Sequence, residues 1–246
     1  MSATTPVALL ELQVWAARAL VAAGFPGGAV DQAARLVVLA QTAHDDAAAC
    51  FVADLPGIAA RDHGVPELGG GGAIEGRGLH ALAVAPGVLD LVCADAAPVV
   101  WSVSASPGAW VLAGLALQGA ARGRAVLAVS PERAVMAWKE GDGAAYAEAS
   151  GAVRAALLAA AGFEATVPAD GYAVTTADDI ARDRVCAAAS RVVSAVDHAA
   201  HLACLRAEGF AMPRAIWDGI TGWGWKMLVP TSDRSKNQAG GDMGEG

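Results

Sequence analysis

"LLELQVWAARALVAAGFPGGAVDQAARLVVLAQ", residues 9–41, decides how the chain begins to fold. Leu9, Leu12, Ala16, Leu20 and Ala23 recur at steps of three and four, with Glu11 and Arg18 off the stripe. That periodicity predicts an amphipathic helix, and Gly24 with Pro26 ends it. Gly27 and Gly28 supply a turn. Ala33, Val37, Ala40, His44, Ala47 and Phe51 then form the stripe of a second helix, ending near Pro56. Two helices joined by so short a connection pack as an antiparallel hairpin.

Downstream, "GVPELGGGGAIEGRG" (64–78) is the strongest break and marks a loop or seam. The apolar runs "LHALAVA" (79–85), "PVVWSVS" (98–104) and "RAVLAVS" (124–130) read as strands. Between the last two, "GAWVLAGLALQGAAR" (108–122) reads as a helix, so strand, helix and strand form a βαβ-like or split unit. "MAWKEGDGAAYAEASG" (136–151) reads as a polar connection and "AVRAALLAAAG" (152–162) as a helix, with a strand edge an alternative around 163–167. Thr176 is placed to cap a long helix with Asp178 and Asp179 in its first turn, running to Glu208 and stopping at Gly209. Pro213 opens a last helix. The expected class is α+β: an N-terminal helical hairpin, a central strand-rich unit with one crossover helix, and C-terminal helices. It is expected as a single compact domain over 1–246 with a seam at 64–78.

Composition bounds the function. The chain has 246 residues, is 55% hydrophobic and carries a net charge of -8; its pI is near 5.0 and its mean hydropathy is +0.41. A core is easily buried. Without a basic run, a nucleic-acid partner is excluded. No apolar stretch reaches the length of a membrane span. Cys50, Cys93, Cys186 and Cys204 lie far apart, as reduced thiols of a cytoplasmic protein do. The high apolar fraction and the Ala-only helix faces point to a homo-oligomer.

Familiar catalytic motifs are missing: no Walker loop, no Gly-x-Ser-x-Gly elbow, no His-Glu-x-x-His. Gly76-x-Gly78-x-x-Ala81 is a loose dinucleotide pattern, but a glycine run precedes it and an expected strand follows it. No cofactor is therefore expected. Asp197, His201, Cys204 and Glu208 share one helical sector, yet one helix cannot close a zinc site; Asp197 and His201 read as an ordinary i, i+4 pair on a polar face, and no metal is expected. His44 sits on the apolar stripe of the second helix as a core residue or a base. Trp217, with Trp223 and Trp225, offers core packing or a pocket wall.

The closing stretch "VPTSDRSKNQAGGDMGEG" (229–246) gathers the remaining chemistry. Thr231, Ser232 and Ser235 carry hydroxyls; Arg234 and Lys236 carry cations; Asp242 carries a carboxylate. With His44, the hydroxyls are the candidate catalytic groups. Arg234, Lys236, Trp217 and Asp242 are candidate substrate contacts, with Arg234 forking onto a carboxylate. A frayed terminus is the alternative.

The helix pair at 9–41 and the closing "LVPTSDRS…AGG" are similar to a bacterial family of uncharacterised proteins of about this length. That family begins with an Ala-rich helix pair and ends in a Val-Pro tail with a hydroxyl pair, a Ser-Arg-like element and glycines. Here Arg234 precedes Ser235 instead of following it, and the family implies no activity. The helix pair also resembles the N-terminus of the type-2 malate/L-lactate dehydrogenases. In them a Ser-His-Gly element after the second helix supplies a substrate-side histidine. The matching stretch here is "DAAACF" (46–51), with Ala48 about where that histidine stands. Their long inserted nicotinamide-binding portion finds no counterpart.

The side-chain chemistry sets the leading expectation: an enzyme acting on a small polar carboxylate or amide, hydrolase- or lyase-like. A non-catalytic subunit packing through Ala-rich helices and a degenerate relative of the type-2 dehydrogenases are the alternatives.

Overall fold

The computed structural model describes residues 3–61, 65–95, 99–106 and 108–227. It is an α+β structure, as expected. Helices α1 (Leu9–Ala22) and α2 (Val30–Ala43) form the predicted hairpin. The second helix does not continue through Phe51. It stops at Ala43, and α3 (Ala47–Ala59) starts afresh after a corner at His44–Asp46. The periodicity spans the corner because both helices bury the same kind of side chain. The buried Gln41 is what tells them apart, since its amide bonds across the break.

The main sheet has the order β2 (Glu67–Leu68), β3 (Ala73–His80), β4 (Trp101–Ser106), β8 (Gly171–Thr176), β5 (Val126–Val129), β6 (Arg133–Glu140), β7 (Gly143–Ser150), β9 (Arg191–Val193). Among the described strands only the β3–β4 pair is parallel, and α4 (Ala81–Ala94) is its crossover. The segment 79–85, expected as a strand, is the end of β3 and the first turns of α4. The unit β4–α5–β5, with α5 at Val111–Ala121, is split: β8 lies between the two strands and is antiparallel to both.

The expected polar connection at 136–151 is instead the β6–β7 hairpin. Glu140 faces Gly143 across a two-residue turn, and Gly141 takes the positive φ of 59° that such a turn needs at its first position. The long helix expected from Thr176 is two helices, α7 (Asp179–Ala188) and α8 (Ala195–Glu208), with β9 between them. Asp178, not Thr176, caps α7, accepting from the Ala181 N–H at 2.7 Å. Helix α6 (Gly151–Ala160) is as expected, with no strand after it at 163–167.

Both sheet faces are covered, which is why β5 is apolar at every position. Val126, Ala128, Val135 and Tyr146 point to the side of α2, α4 and α5; Leu127, Val129, Met136 and Trp138 point to the side of α6 and α7. Helices α2 and α5 touch backbone to backbone: a Cβ on Gly114 would stand 2.5 Å from the Leu36 carbonyl oxygen. A second small sheet pairs β1 (Thr4–Val7) with β10 (Phe210–Pro213) and seats α9 (Arg214–Trp225) against α1. No helix among the described residues is long and apolar enough to cross a membrane.

Candidate functional site

The corner between α2 and α3 places polar groups where the helices would otherwise bury alanines. Gln41 Nε2 donates to the Asp45 carbonyl at 3.0 Å, and the Ala48 N–H donates to Gln41 Oε1 at 2.7 Å. The backbone of His44 is thereby held extended, at φ -139° and ψ 118°. Its ring leaves the helix stripe and turns to Glu148 on β7, with Nε2 3.2 Å from Oε2 and only 8% of the side chain exposed. The two atoms are close but out of line for a hydrogen bond.

Glu148 also faces Arg191 in register across β7–β9. Arg191 Nη1 donates to Glu148 Oε1 at 3.1 Å and to the Ala43 carbonyl at 3.0 Å, and its guanidinium lies 5.5 Å from the centre of the Tyr146 ring. Tyr146 meets His198 of α8 edge to face, 5.7 Å between centroids. His198 Nδ1 is 3.0 Å from the Ala144 carbonyl, which can only accept, so Nδ1 carries the hydrogen and Nε2 the lone pair. That Nε2 is buried with no partner.

These groups line a cleft of about 660 Å³, with His44, Asp45, Tyr146, Arg191, His198 and His201 in its wall. Burial pushes the pKa of both His198 and His44 below the ordinary value of 6.5. At His44 the Glu148 carboxylate opposes that push, while Arg133 and Arg191 add to it. The site therefore offers neutral imidazoles beside a guanidinium, a combination able to hold a small anion and accept a proton.

A second cleft, of about 470 Å³, opens on the other side of Asp46, which lines both. Asp46, Cys50 and Asp54 follow one another at four-residue steps along α3. Asp54 Oδ2 accepts from His80 Nε2 at 3.0 Å and from Trp110 Nε1 at 2.8 Å. His80 Nδ1 accepts from the Leu82 N–H at 3.2 Å, so its hydrogen is fixed on Nε2. Burial, with Asp46 and Asp54, raises the pKa of the Cys50 thiol, so it is no activated nucleophile.

Of the residues singled out from sequence, His44 lines the first cleft. Trp217 lies on α9 with its ring 6.4 Å from Trp15, among partly buried side chains packed on the core, and lines neither cleft. Thr231, Ser232, Arg234, Ser235, Lys236 and Asp242 lie outside the described residues. Glu148 and Arg191 meet only through β7–β9 pairing, and His198 reaches the cleft by packing α8 on β7, so no local spacing marks any of the three. Asp197 accepts from the Ser194 hydroxyl at 2.7 Å instead of pairing with His201. Among the described residues no three His, Cys, Asp or Glu side chains could share a metal ion.

No protein-family model matches the chain, and no curated protein matches it either, so nothing backs the resemblance to an uncharacterised bacterial family. Solved structures do match. The malate dehydrogenase of Pyrococcus horikoshii has a TM-score of 0.63 at 10% identity, over 94% of this chain and 99% of that one. The delta1-piperideine-2-carboxylate reductase of Pseudomonas syringae pathovar tomato has 0.55 at 13%, over 89% and 100%. A dehydrogenase of Sinorhizobium meliloti has 0.58 at 12%, over 90% and 100%. The chain has their fold. This corrects the hydrolase- or lyase-like expectation: the enzymes of like fold are dehydrogenases and a reductase, and the alternative of a degenerate dehydrogenase relative fits better.

Dehydrogenase chemistry usually draws on a dinucleotide, and the one glycine pattern here does not form a cradle for it. A helix, not the expected strand, follows the pattern, but Gly76 to His80 lie inside β3 instead of after it. Gly76 is filled by β4: a Cβ there would stand 2.2 Å from the Ser104 carbonyl oxygen. The first-turn N–H of Leu82 is already taken by His80. The glycine serves strand packing, not a pyrophosphate.

Proposed function

We propose that the chain is an oxidoreductase-type enzyme on the dehydrogenase scaffold, with the cleft beside the α2–α3 corner as its site. The substrate class is a small carboxylate bearing an oxygen or nitrogen on the adjacent carbon, the class to which malate and piperideine-2-carboxylate both belong. Arg191 takes the carboxylate. His198 Nε2 takes the proton of the adjacent hydroxyl or amine while the hydride on that carbon would pass to an added nicotinamide dinucleotide, and His44 with Glu148 fixes the floor. The observation that carries this reading is the unpartnered lone pair of His198 in the same cleft as Arg191.

The test is spectrophotometric. Two-hydroxy, 2-oxo and cyclic 2-imino carboxylates are offered with NAD(H) or NADP(H), to wild type and to Arg191→Ala. Turnover at 340 nm that falls at least about tenfold in the variant supports the reading, since a truncated charge contact costs about 2–5 kcal/mol. A second reading is favoured by the packing of Gly76: the scaffold keeps the carboxylate site and has lost the dinucleotide. Carboxylate binding without turnover by any dinucleotide would select it. Self-association belongs to the proposal because mean hydropathy is +0.41. Sedimentation at micromolar concentration reads it, and a clean monomer mass excludes it.

A further inference from the structure

Helix α1 has two apolar faces. Leu12, Ala16, Ala19 and Leu20 are buried in the core. Leu10, Val14, Ala17 and Val21 follow one another at i, i+4, i+7 and i+11, which puts them within about 60° of the helix circumference. Leu10 is 71% exposed, Val14 41% and Val21 43%. A surface helix buries one apolar stripe and turns a polar face outward. Helices α7 and α8 do so, with Asp183, Arg184, Asp197 and Arg206 exposed. Single exposed apolar side chains are ordinary. A stripe of them running about 17 Å along one helix marks a contact surface.

The charges beside the stripe narrow the partner. Glu11 and Arg18 share one flank of it, about 10 Å apart along the axis and too far to pair with each other. Neither has an ion-pair partner among the described residues; Arg18 lies over the Trp15 ring, 4.7 Å from its centre. A two-fold axis between Val14 and Ala17 sets a second α1 antiparallel to the first. Leu10 of one copy then meets Val21 of the other, and Val14 meets Ala17. Glu11 of each copy faces Arg18 of the other, about 3 Å out of register and within reach of both side chains. The face is complementary to itself, as a two-fold interface requires. Helix α9 widens it. Gly224 packs on α1, where an added Cβ would stand 2.7 Å from the Trp15 ring and 3.2 Å from the Arg18 Cβ. Trp225, 57% exposed and 5.2 Å from the Trp15 ring centre, therefore stands beside the Arg18 flank. The net charge of -8 opposes an anionic membrane as the partner.

We propose that the outer face of α1 is the interface between two copies of this chain, packed α1 against α1 antiparallel across a two-fold axis. The proposal rests on the self-association stated above and gives it a surface; the corner cleft takes no part in it.

Sedimentation velocity of the full chain at micromolar concentration tests this, with circular dichroism showing that each variant is folded. Wild type should sediment as a dimer. Val14→Glu places a charge at the apolar contact and should raise the dimer Kd at least about tenfold. Val196→Glu, at an exposed valine of α8, should leave it unchanged. Glu11→Arg and Arg18→Glu should each weaken association at least about threefold, since like charges then face each other. Mixed one to one, these two variants should associate again, because every contact in the mixed pair joins opposite charges. A clean wild-type monomer would overturn the proposal together with self-association. A dimer indifferent to Val14→Glu, or charge variants that fail to recover on mixing, would overturn this interface alone. A monomeric chain that co-sediments with phosphatidylserine vesicles would give the face to lipid and overturn it too.

Discussion

Gln41 and Ala48 close the corner between α2 and α3: the Ala48 N–H donates to Gln41 Oε1 at 2.7 Å, buried and across seven residues. The same amide holds the Asp45 carbonyl at 3.0 Å, so one side chain replaces the backbone bonds that the break removes. Gln41→Leu should leave both backbone groups unpaired and destabilise the fold by about 1–3 kcal/mol. It should also free His44 from its extended backbone. In a proton NMR titration the His44 ring should then move up toward the ordinary 6.5 from its lowered value. A variant with wild-type stability and an unchanged His44 titration would refute this role.

The two buried imidazoles predict how stability depends on pH. Their folded pKa values lie below the ordinary 6.5, so between the two values the unfolded chain binds more protons than the folded one. Stability is then fully present above about 6.5 and is lost as pH falls through the folded values. Wild type should therefore lose melting temperature as pH falls below 6.5, before most carboxylates titrate. The double variant His44→Gln, His198→Asn should flatten that limb; an equally steep limb in the double variant would assign the dependence elsewhere.

Tyr172, on β8, is fully packed, and its hydroxyl has no partner. Burial pushes its pKa far up. Tyr172→Phe removes an unsatisfied group at nearly constant volume, so urea denaturation should show stability unchanged or raised by about 1 kcal/mol. A loss larger than about 1 kcal/mol would mean that the hydroxyl has a partner, such as a buried water.

The sequence made the helix hairpin legible because Leu12, Ala16 and Leu20 keep a single period, and they are fully buried. It hid the α2–α3 corner, since His44, Ala47 and Phe51 continue the spacing across it. It hid the β6–β7 hairpin because Ala145, Ala147 and Ala149 have little strand preference, and because Tyr146 on the opposite face is buried too, no apolar/polar alternation marks the strand. The candidate site was mostly illegible for one reason: Glu148 and Arg191 are 43 residues apart and meet only through β7–β9 pairing. His198 was passed over for Asp197 and His201, whose i, i+4 spacing suggested a pair; its burial, not its spacing, marks it.

The central claim is that the corner cleft holds a small carboxylate through Arg191 and His198. Calorimetric titration with L-malate and L-lactate reads this directly, without requiring turnover. Wild type should bind one of them saturably. Arg191→Ala should lose roughly 2–5 kcal/mol of that binding, and His198→Asn should weaken it less while abolishing any pH dependence near its own titration. Arg214→Ala, on the far helix α9, should bind as wild type does. Binding that survives Arg191→Ala at full strength, or no binding of either acid by the folded wild-type chain, would contradict the account.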